Sequence, residues 1–373
     1  MAIVTESFLP AVNGVTNSVL RILEHLERRG HDAVVVAAGP GPTEYAGARV
    51  VRIPAVALPV YRSFPVALPT RRVERALHAF RPDVVHLASP AALGAIGASA
   101  ARRIGVPAVA AFQSDLAGFA GRYGFGVAAP GLWAWLRRIH AQTALTLAPS
   151  SATTWELERR GIGPVARWAR GVDAERFHPR YRSDRLRRQL APEGEAIVGF
   201  LGRLATEKQV HRLAHVAGLP GTRLVLIGDG PARRALARRL PDARFLGFLT
   251  GAELSRAVAS LDVCVHTGTN ETFCQAVQEA MAAGVPVVAP AIGGPLDLVR
   301  HGETGWLFPA EHPAVLRSAV SALVADPDRR AAMGRAARAS VVHRTWPALC
   351  DELLEHYRAV TVGDAGRERV RAA

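Results

Sequence analysis

Ile197-Val-Gly-Phe-Leu201, followed by Gly202-Arg-Leu-Ala-Thr-Glu-Lys208, is the stretch on which the fold of this chain turns. Five apolar residues in an unbroken run suit a strand buried on both faces, as in a parallel sheet covered by helices. In open sheets of that kind ligands sit beyond the carboxyl ends of the strands. Arg203 and Lys208 therefore stand where a ligand is expected. Arg203 offers a planar fork for phosphate oxygens and Lys208 a compact point charge. Lys208 is also the only lysine in the chain. The plainer alternative is an ordinary solvated loop.

Outward from that strand the pattern repeats. Leu224–Ile227, Ala243–Leu246, Val263–His266 and Pro286–Ala289 read as further strands. Helical patterns at Val210–Ala217, Ala232–Arg239, Gly251–Leu261 and Cys274–Ala283 lie between them. Upstream of the basic stretch Phe177–Pro192 there is a separate alternation. Its strands are Ala2–Val4, Ala33–Ala37, Val50–Ile53, Val84–Leu87, Val106–Phe112 and Leu145–Ala148. Its helices are Asn17–Arg29, Thr70–Phe80, Ala91–Ile104 and Ser151–Arg160. Two β-α alternations in 373 residues predict an α/β protein of two doubly wound, Rossmann-like parallel-sheet domains facing a cleft.

The second chemical signal is Glu271-Thr-Phe-Cys-Gln-Ala-Val-Gln-Glu279, which ends in the helix stop Ala283-Gly284-Val-Pro286. With Thr272 as N-cap, the amides of Phe273, Cys274 and Gln275 form an anion-binding helix terminus. Eight residues of helix separate the glutamates by about 12 Å, close to the span from a hexose to a ribose across a diphosphate. Glu271 is expected at the sugar hydroxyls and Glu279 at the ribose, since a carboxylate accepts two hydrogen bonds from a vicinal diol. An acidic helix start plus an unrelated surface glutamate would give the same spelling.

Weaker signals accompany these. Val12-Asn13-Gly14-Val15 lies between the first strand and first helix, where a glycine admits a phosphate or sugar, or simply makes a turn; it is not GxGxxG. Phe248 is placed to pack on a base, and Gln113, Ser114 and Asp115 end a first-domain strand. Gly228-Asp-Gly230-Pro231 and Gly293-Gly294 are further strand-end turns. Asp326-Pro-Asp328, the only DxD spelling, reads as a turn and helix start rather than a divalent-ion site. Charge neutralisation then falls to Arg203, Lys208 and the helix terminus, and no metal is expected.

Composition bounds the class. Hydrophobic residues at 49% and charged residues at 21% suit a soluble globular core. Three cysteines, 264, 274 and 350, without metal-ligand spacing suit a reducing compartment. No signal peptide and no run of about 18 uncharged apolar residues is seen, so the expected location is cytoplasmic. The net charge, 46 − 32 = +14, favours anionic partners or reflects a codon-biased composition.

Taken together, GRLATEK, IGDGP and ETFCQAVQEAMAAGVPVVAPAIGGPLDLVRHGETGWLF resemble glycosyltransferase family 4, the retaining transferases of the GT-B fold, over nearly the whole chain to about Val360. The resemblance implies that Arg203 and Lys208 are the phosphate-binding pair and Glu271 and Glu279 the paired glutamates. It implies that Gly14 belongs to a glycine loop touching the diphosphate. It also implies residues 1–170 as an acceptor-side domain onto which the helix 346–360 crosses back, and 171–345 as the nucleotide-sugar domain; 361–373 reads as a disordered tail. The implied chemistry keeps the anomeric configuration, with a leaving phosphate oxygen taking the acceptor's proton.

ESFLPAVNGVTNSV, DVVHLASPAALG, FQSD, RWARGVD and ETFCQ look like the actinobacterial mannosyltransferases of glycolipid synthesis. That points to GDP-mannose as co-substrate and a membrane glycolipid as acceptor. Two residues depart from the family: Gln113 stands where many members have a histidine at the donor sugar, a role Asp115 is expected to share, and Cys274 stands where many have glycine. Arg71, Arg72, Arg75, Arg102, Arg103, Arg122, Arg137 and Arg138, beside Trp133, Trp135 and Leu136, suit peripheral docking on the anionic cytoplasmic face of a membrane. Buried tryptophans and solvated arginines are the alternative. Competing functions are a soluble glycosyltransferase acting on a small metabolite, a nucleotide-sugar epimerase, and a nucleic-acid binder, for which no recognition motif is present.

Overall fold

The structure is a computed structural model and describes all residues except 58–64, 69, 89, 116–117, 119–128 and 372–373. Arg122 lies outside the described residues. The chain forms two compact units: Met1–Arg170 with Pro347–Ala373, and Gly171–Trp346.

In the first unit, the strands are β1 (Ala2–Thr5), β2 (Val34–Ala38), β3 (Glu44–Tyr45), β4 (Ala48–Ile53), β7 (Val85–Leu87), β8 (Ala108–Ala111), β9 (Leu145–Ala148) and β10 (Val165–Arg167), with β5 (Ala55–Ala57) and β6 (Pro65–Ala67) as a separate pair. The sheet order is β10-β9-β8-β7-β1-β2-β4-β3, parallel except for the β3–β4 edge. Val34–Val36 and Val85 are completely or almost completely buried, as β-branched residues covered on both faces should be. The first helix spans Gly14–Arg28 because Asn13 caps it, accepting from the amides of Val15 and Thr16. It buries Val15, Val19, Ile22, Leu23 and Leu26 at helical spacing.

In the second unit, the strands are β11 (Ala196–Leu201), β12 (Thr222–Ile227), β13 (Arg244–Gly247), β14 (Val263–Val265), β15 (Val287–Pro290) and β16 (Gly305–Phe308). They form one parallel sheet in the order β13-β12-β11-β14-β15-β16. Strand order reverses between β11 and β14 here, and between β1 and β7 in the first unit. Such switch points open crevices at the strands' carboxyl ends.

Three expectations change. Val210–His215 is a 3-10 helix rather than an α-helix. Its buried residues Val210 and Leu213, with the buried C-terminal cap Val216, recur every third position, which is the 3-10 period. A helix at Ala129–His140 buries Trp133 and Leu136, and Trp133 stacks on Phe112. Those two side chains are core, so they are unavailable as membrane anchors. The last helix continues from Trp346 to Arg371 where a disordered tail from 361 is expected. Once nucleated, a helix extends without a further nucleation cost, and Gly363 and Gly366 each weaken it by only about 1 kcal/mol. This helix is fastened to the first unit by Trp168 Nε1 donating to the Leu349 carbonyl at 2.7 Å and by Tyr357 Oη at 2.9 Å from His86 Nδ1.

Candidate functional site

In the second unit, the loop after β11 and the loop after β14 meet at the switch point. Thr267 Oγ1 donates to the Lys208 carbonyl at 2.7 Å, and Gln209 Nε2 to Thr269 Oγ1 at 2.6 Å. Lys208 Nζ is thereby brought 2.6 Å from Glu271 Oε1. His266 Nε2 stands 3.1 Å from the same oxygen, its ring stacked on Phe200. Burial opposes the charge on Glu271, but Lys208 and His266 outweigh it and hold the carboxyl well below the usual range. Burial likewise opposes the Lys208 charge, and Glu271 reverses the balance, so the ammonium is kept. The result is a fixed plus-minus pair at a strand end.

Glycines make this corner possible. A side chain at Gly268 would sit 2.9 Å from Glu271 Oε1 and 3.0 Å from His266 Nε2. Gly294 lies against the Phe273 backbone, and its amide donates to the Glu271 carbonyl at 2.8 Å. The turns at Gly228 and Gly230 press on the backbone of Gly202 and Leu204. Those two glycines shape the Arg203 loop.

The helix geometry differs from expectation. The helix runs Gln275–Ala282, and its cap is Cys274, held at φ 79°, not Thr272. Glu271 precedes the helix, in a loop pinned by Gly294 and Lys208. The two glutamates therefore do not share one straight helix, and the 12 Å measure does not apply. Glu279 lies one turn into the helix beside Gln275. Burial raises its carboxyl from 4.5 to about 7, with the Gln275 side chain and Arg176 pulling the other way. Gln275 Nε2 donates to the Gly171 carbonyl at 3.1 Å. Phe273 and Cys274 are buried, and burial pushes the Cys274 thiol well above its ordinary value. Arg203 is partly exposed, 3.8 Å from Glu207. Phe248 is 71% exposed at the end of β13, open to stack on a planar ring. Asp326 caps the helix Pro327–Val341, so the DxD spelling is a helix start.

The first unit has its own polar corner. Asn13 Nδ2 donates to Ser7 Oγ at 2.6 Å, and Ser7 Oγ lies 3.1 Å from Thr16 Oγ1. Arg170 Nη1 donates to the Gly14 carbonyl at 3.1 Å and Arg170 Nη2 to Gln113 Oε1 at 2.8 Å. A Cβ on Gly14 would meet Arg170 Nη1 at 2.5 Å. Asp115 accepts from the Gly118 amide at 2.8 Å. Sequence reasoning named neither His266 nor Arg170 as a site residue. His266 reads as the end of an apolar strand, and Arg170 is one arginine among many. Only the pairing of strands shows what each faces.

Glu6, at the carboxyl end of β1, is fully buried. It accepts from the amides of Leu93 and Gly94, while its Oε2 has no hydrogen-bond partner among the described residues. Burial raises its carboxyl from 4.5 to about 7. The folded state thus binds this proton more tightly than the unfolded chain. The associated stability is complete below about pH 4.5 and is lost as pH rises through 7, about 3 kcal/mol in all. Glu6→Gln removes that dependence. Urea denaturation at pH 5 and pH 8 should show the variant gaining on the wild type as pH rises; parallel profiles would place the carboxylate in a solvated setting.

The comparisons decide the family. The description "Glycosyltransferase Family 4" matches residues 12–176 and "Glycosyl transferases group 1" matches 182–340. The chain is 51% identical to a GDP-mannose-dependent alpha-mannosyltransferase of Mycobacterium tuberculosis, over 100% of this chain and 99% of the relative. The chain belongs to glycosyltransferase family 4. A protein of the same description from Corynebacterium glutamicum is 47% identical over 96% of this chain and 89% of its own. Among solved structures, an Anabaena protein in complex with UDP and glucose superposes with a TM-score of 0.75 at 21% identity, covering 95% of this chain and 98% of that one. The fold of this glycosyltransferase is GT-B. No helix among the described residues is long and apolar enough to cross a membrane.

Proposed function

We propose that this glycosyltransferase moves mannose from GDP-mannose, with retention of configuration, to a membrane glycolipid or lipoglycan. The observation that carries the donor reading is the Lys208–Glu271 pair, 2.6 Å apart at the switch point of the second sheet. An ammonium there meets the charge that grows on the departing diphosphate, and such a cation favours the transition state over the ground state. Arg203 adds a second cation, Glu271 takes sugar hydroxyls, Glu279 the ribose, and Phe248 the base. Phe273, Cys274 and Gln275 line the phosphate side. In the first unit, Gly14 and Asp115 are assigned to substrate contact. The names of the two relatives support mannose and GDP. An alpha-mannoside made from an alpha-linked donor is retention.

The experiment is transfer from GDP-mannose, UDP-glucose and ADP-glucose to a lipid extract and to soluble aminocyclitols. GDP-mannose with lipid should be turned over fastest. Turnover confined to a UDP-sugar or a soluble acceptor would replace this reading. We assign charge neutralisation to protein cations, so chelator-treated enzyme should keep full turnover; restoration of lost activity by magnesium or manganese would overturn that assignment. Peripheral docking on an anionic cytoplasmic membrane rests on exposed Arg71, Arg72, Arg75, Arg102, Arg103, Arg137 and Arg138. Liposome sedimentation tests it.

Glu279 gives a pH signature. Burial lifts its carboxyl to about 7, and the charged form is the stronger acceptor for the two ribose hydroxyls. Donor KM should therefore fall as pH rises from 6 to 8, and the Glu279→Gln variant should lose that slope. An identical slope in the variant would remove Glu279 from donor binding.

A further inference from the structure

His266, Glu271 and Cys274 place an imidazole nitrogen, a carboxylate oxygen and a thiol sulfur within 4.8 Å of one another. All three are enclosed: the side chains of His266 and Glu271 are 4% and 10% exposed, and Cys274 is 5% exposed. His266 Nε2, although 3.1 Å from Glu271, makes no hydrogen bond of satisfactory geometry among the described residues. A ring nitrogen held against a carboxylate in that way has a lone pair that a metal ion could take. Nitrogen, oxygen and sulfur donors converging from three residues make a set that zinc accepts, with its fourth position open. Magnesium, which requires oxygen ligands, is ill served by it. The set exists because the chain carries cysteine at a position where φ is 79° and glycine would be the unstrained choice.

We propose that His266, Glu271 and Cys274 form an inhibitory Zn²⁺ site, and that the ion shuts the donor site by taking Glu271 away from Lys208. Binding releases the Cys274 proton to solvent as the sulfur ligates. The Lys208 ammonium, 29% exposed, swings off the carboxylate. No electron is transferred. The metal half stands on the three ligands alone; the inhibition half rests on the donor reading above.

The test uses the full chain, reduced and stripped with chelator, titrated with Zn²⁺ by calorimetry and with Co²⁺ by absorption. One equivalent should bind, with a thiolate-to-cobalt charge-transfer band. Cys274→Gly and His266→Asn should each weaken binding about tenfold or more, while Cys350→Ser keeps both band and affinity. Zn²⁺ should suppress transfer in the wild type, and the ratio of rates with and without Zn²⁺ should approach one in Cys274→Gly. Cys274→Ser, closer in size, stands in if the glycine variant loses its circular dichroism. No band in the wild type, an undiminished band in Cys274→Gly, or loss of the band in Cys350→Ser overturns the site. Zinc binding without sugar transfer from any nucleotide sugar would sink only the donor reading. Transfer without zinc binding would sink only the metal site.

Discussion

Glu271→Gln will lower kcat/KM for sugar transfer about a hundredfold or more, the usual cost of losing one preorganised charged group at a reacting centre. Glutamine has the size of glutamate, so the loop keeps its shape and its backbone bond to Gly294. What disappears is the charge that fixes the Lys208 ammonium at 2.6 Å. Two consequences separate this from general damage. Thermal denaturation should show a modest loss, because Lys208 is 29% exposed and recovers water. The double variant with Lys208→Ala should lose much less than the product of the two single losses, as expected for groups acting as a unit. Glu303→Gln, which removes an exposed partner of Arg300, should leave transfer unchanged. Wild-type turnover in Glu271→Gln would take this carboxylate out of the site.

Gly294→Ala should be among the most damaging single-methyl additions in the second unit. The backbone angles of Gly294 are helical (φ −56°), so alanine fits them without strain. The obstacle is space. A Cβ there would stand 2.1 Å from the Phe273 carbonyl oxygen and 2.5 Å from its Cα. Both are backbone atoms and cannot swing aside. The Glu271–Phe273 segment must move, breaking the 2.8 Å bond from the Gly294 amide and carrying Glu271 off Lys208. Overpacking of this kind costs about 3 kcal/mol. We expect a clear fall in Tm together with loss of donor binding in a nucleotide thermal-shift assay. Gly302→Ala is the control: its φ is 81°, but none of the described residues lies within 4 Å of the added carbon, so only backbone strain remains. It should lose about 1 kcal/mol and keep donor binding. Equal behaviour of the two variants would refute the packing account.

Much of this was legible in the chain itself. Buried parallel strands write themselves as unbroken apolar runs, and Ile197–Leu201 and Leu145–Ala148 form where those runs lie. Lys208 and Glu271, 63 residues apart, were each marked by their strand-end position, and the fold brings them into contact. Edge strands were harder. Gly305–Phe308 and Val165–Arg167 are short and partly exposed, so they lack the signature of the central strands. The start of the helix at Gln275 is not legible in the sequence, because Thr272 is a good N-cap by type. The glycine pair at 293–294 instead holds residues 271–273 in a loop.

The amino-acid order alone determined the two β-α alternations, the family and the position of the cationic and acidic residues at strand ends. These follow from local properties: apolar runs, glycine turns and charge placed next to them. Only the tertiary structure decided that His266 shares Glu271 with Lys208, that Arg170 clasps Gly14 and Gln113, and that Trp133 is core rather than a membrane anchor. Each of these depends on which strand lies beside which, and contacts across a sheet are set by pairing order, which no window of sequence contains.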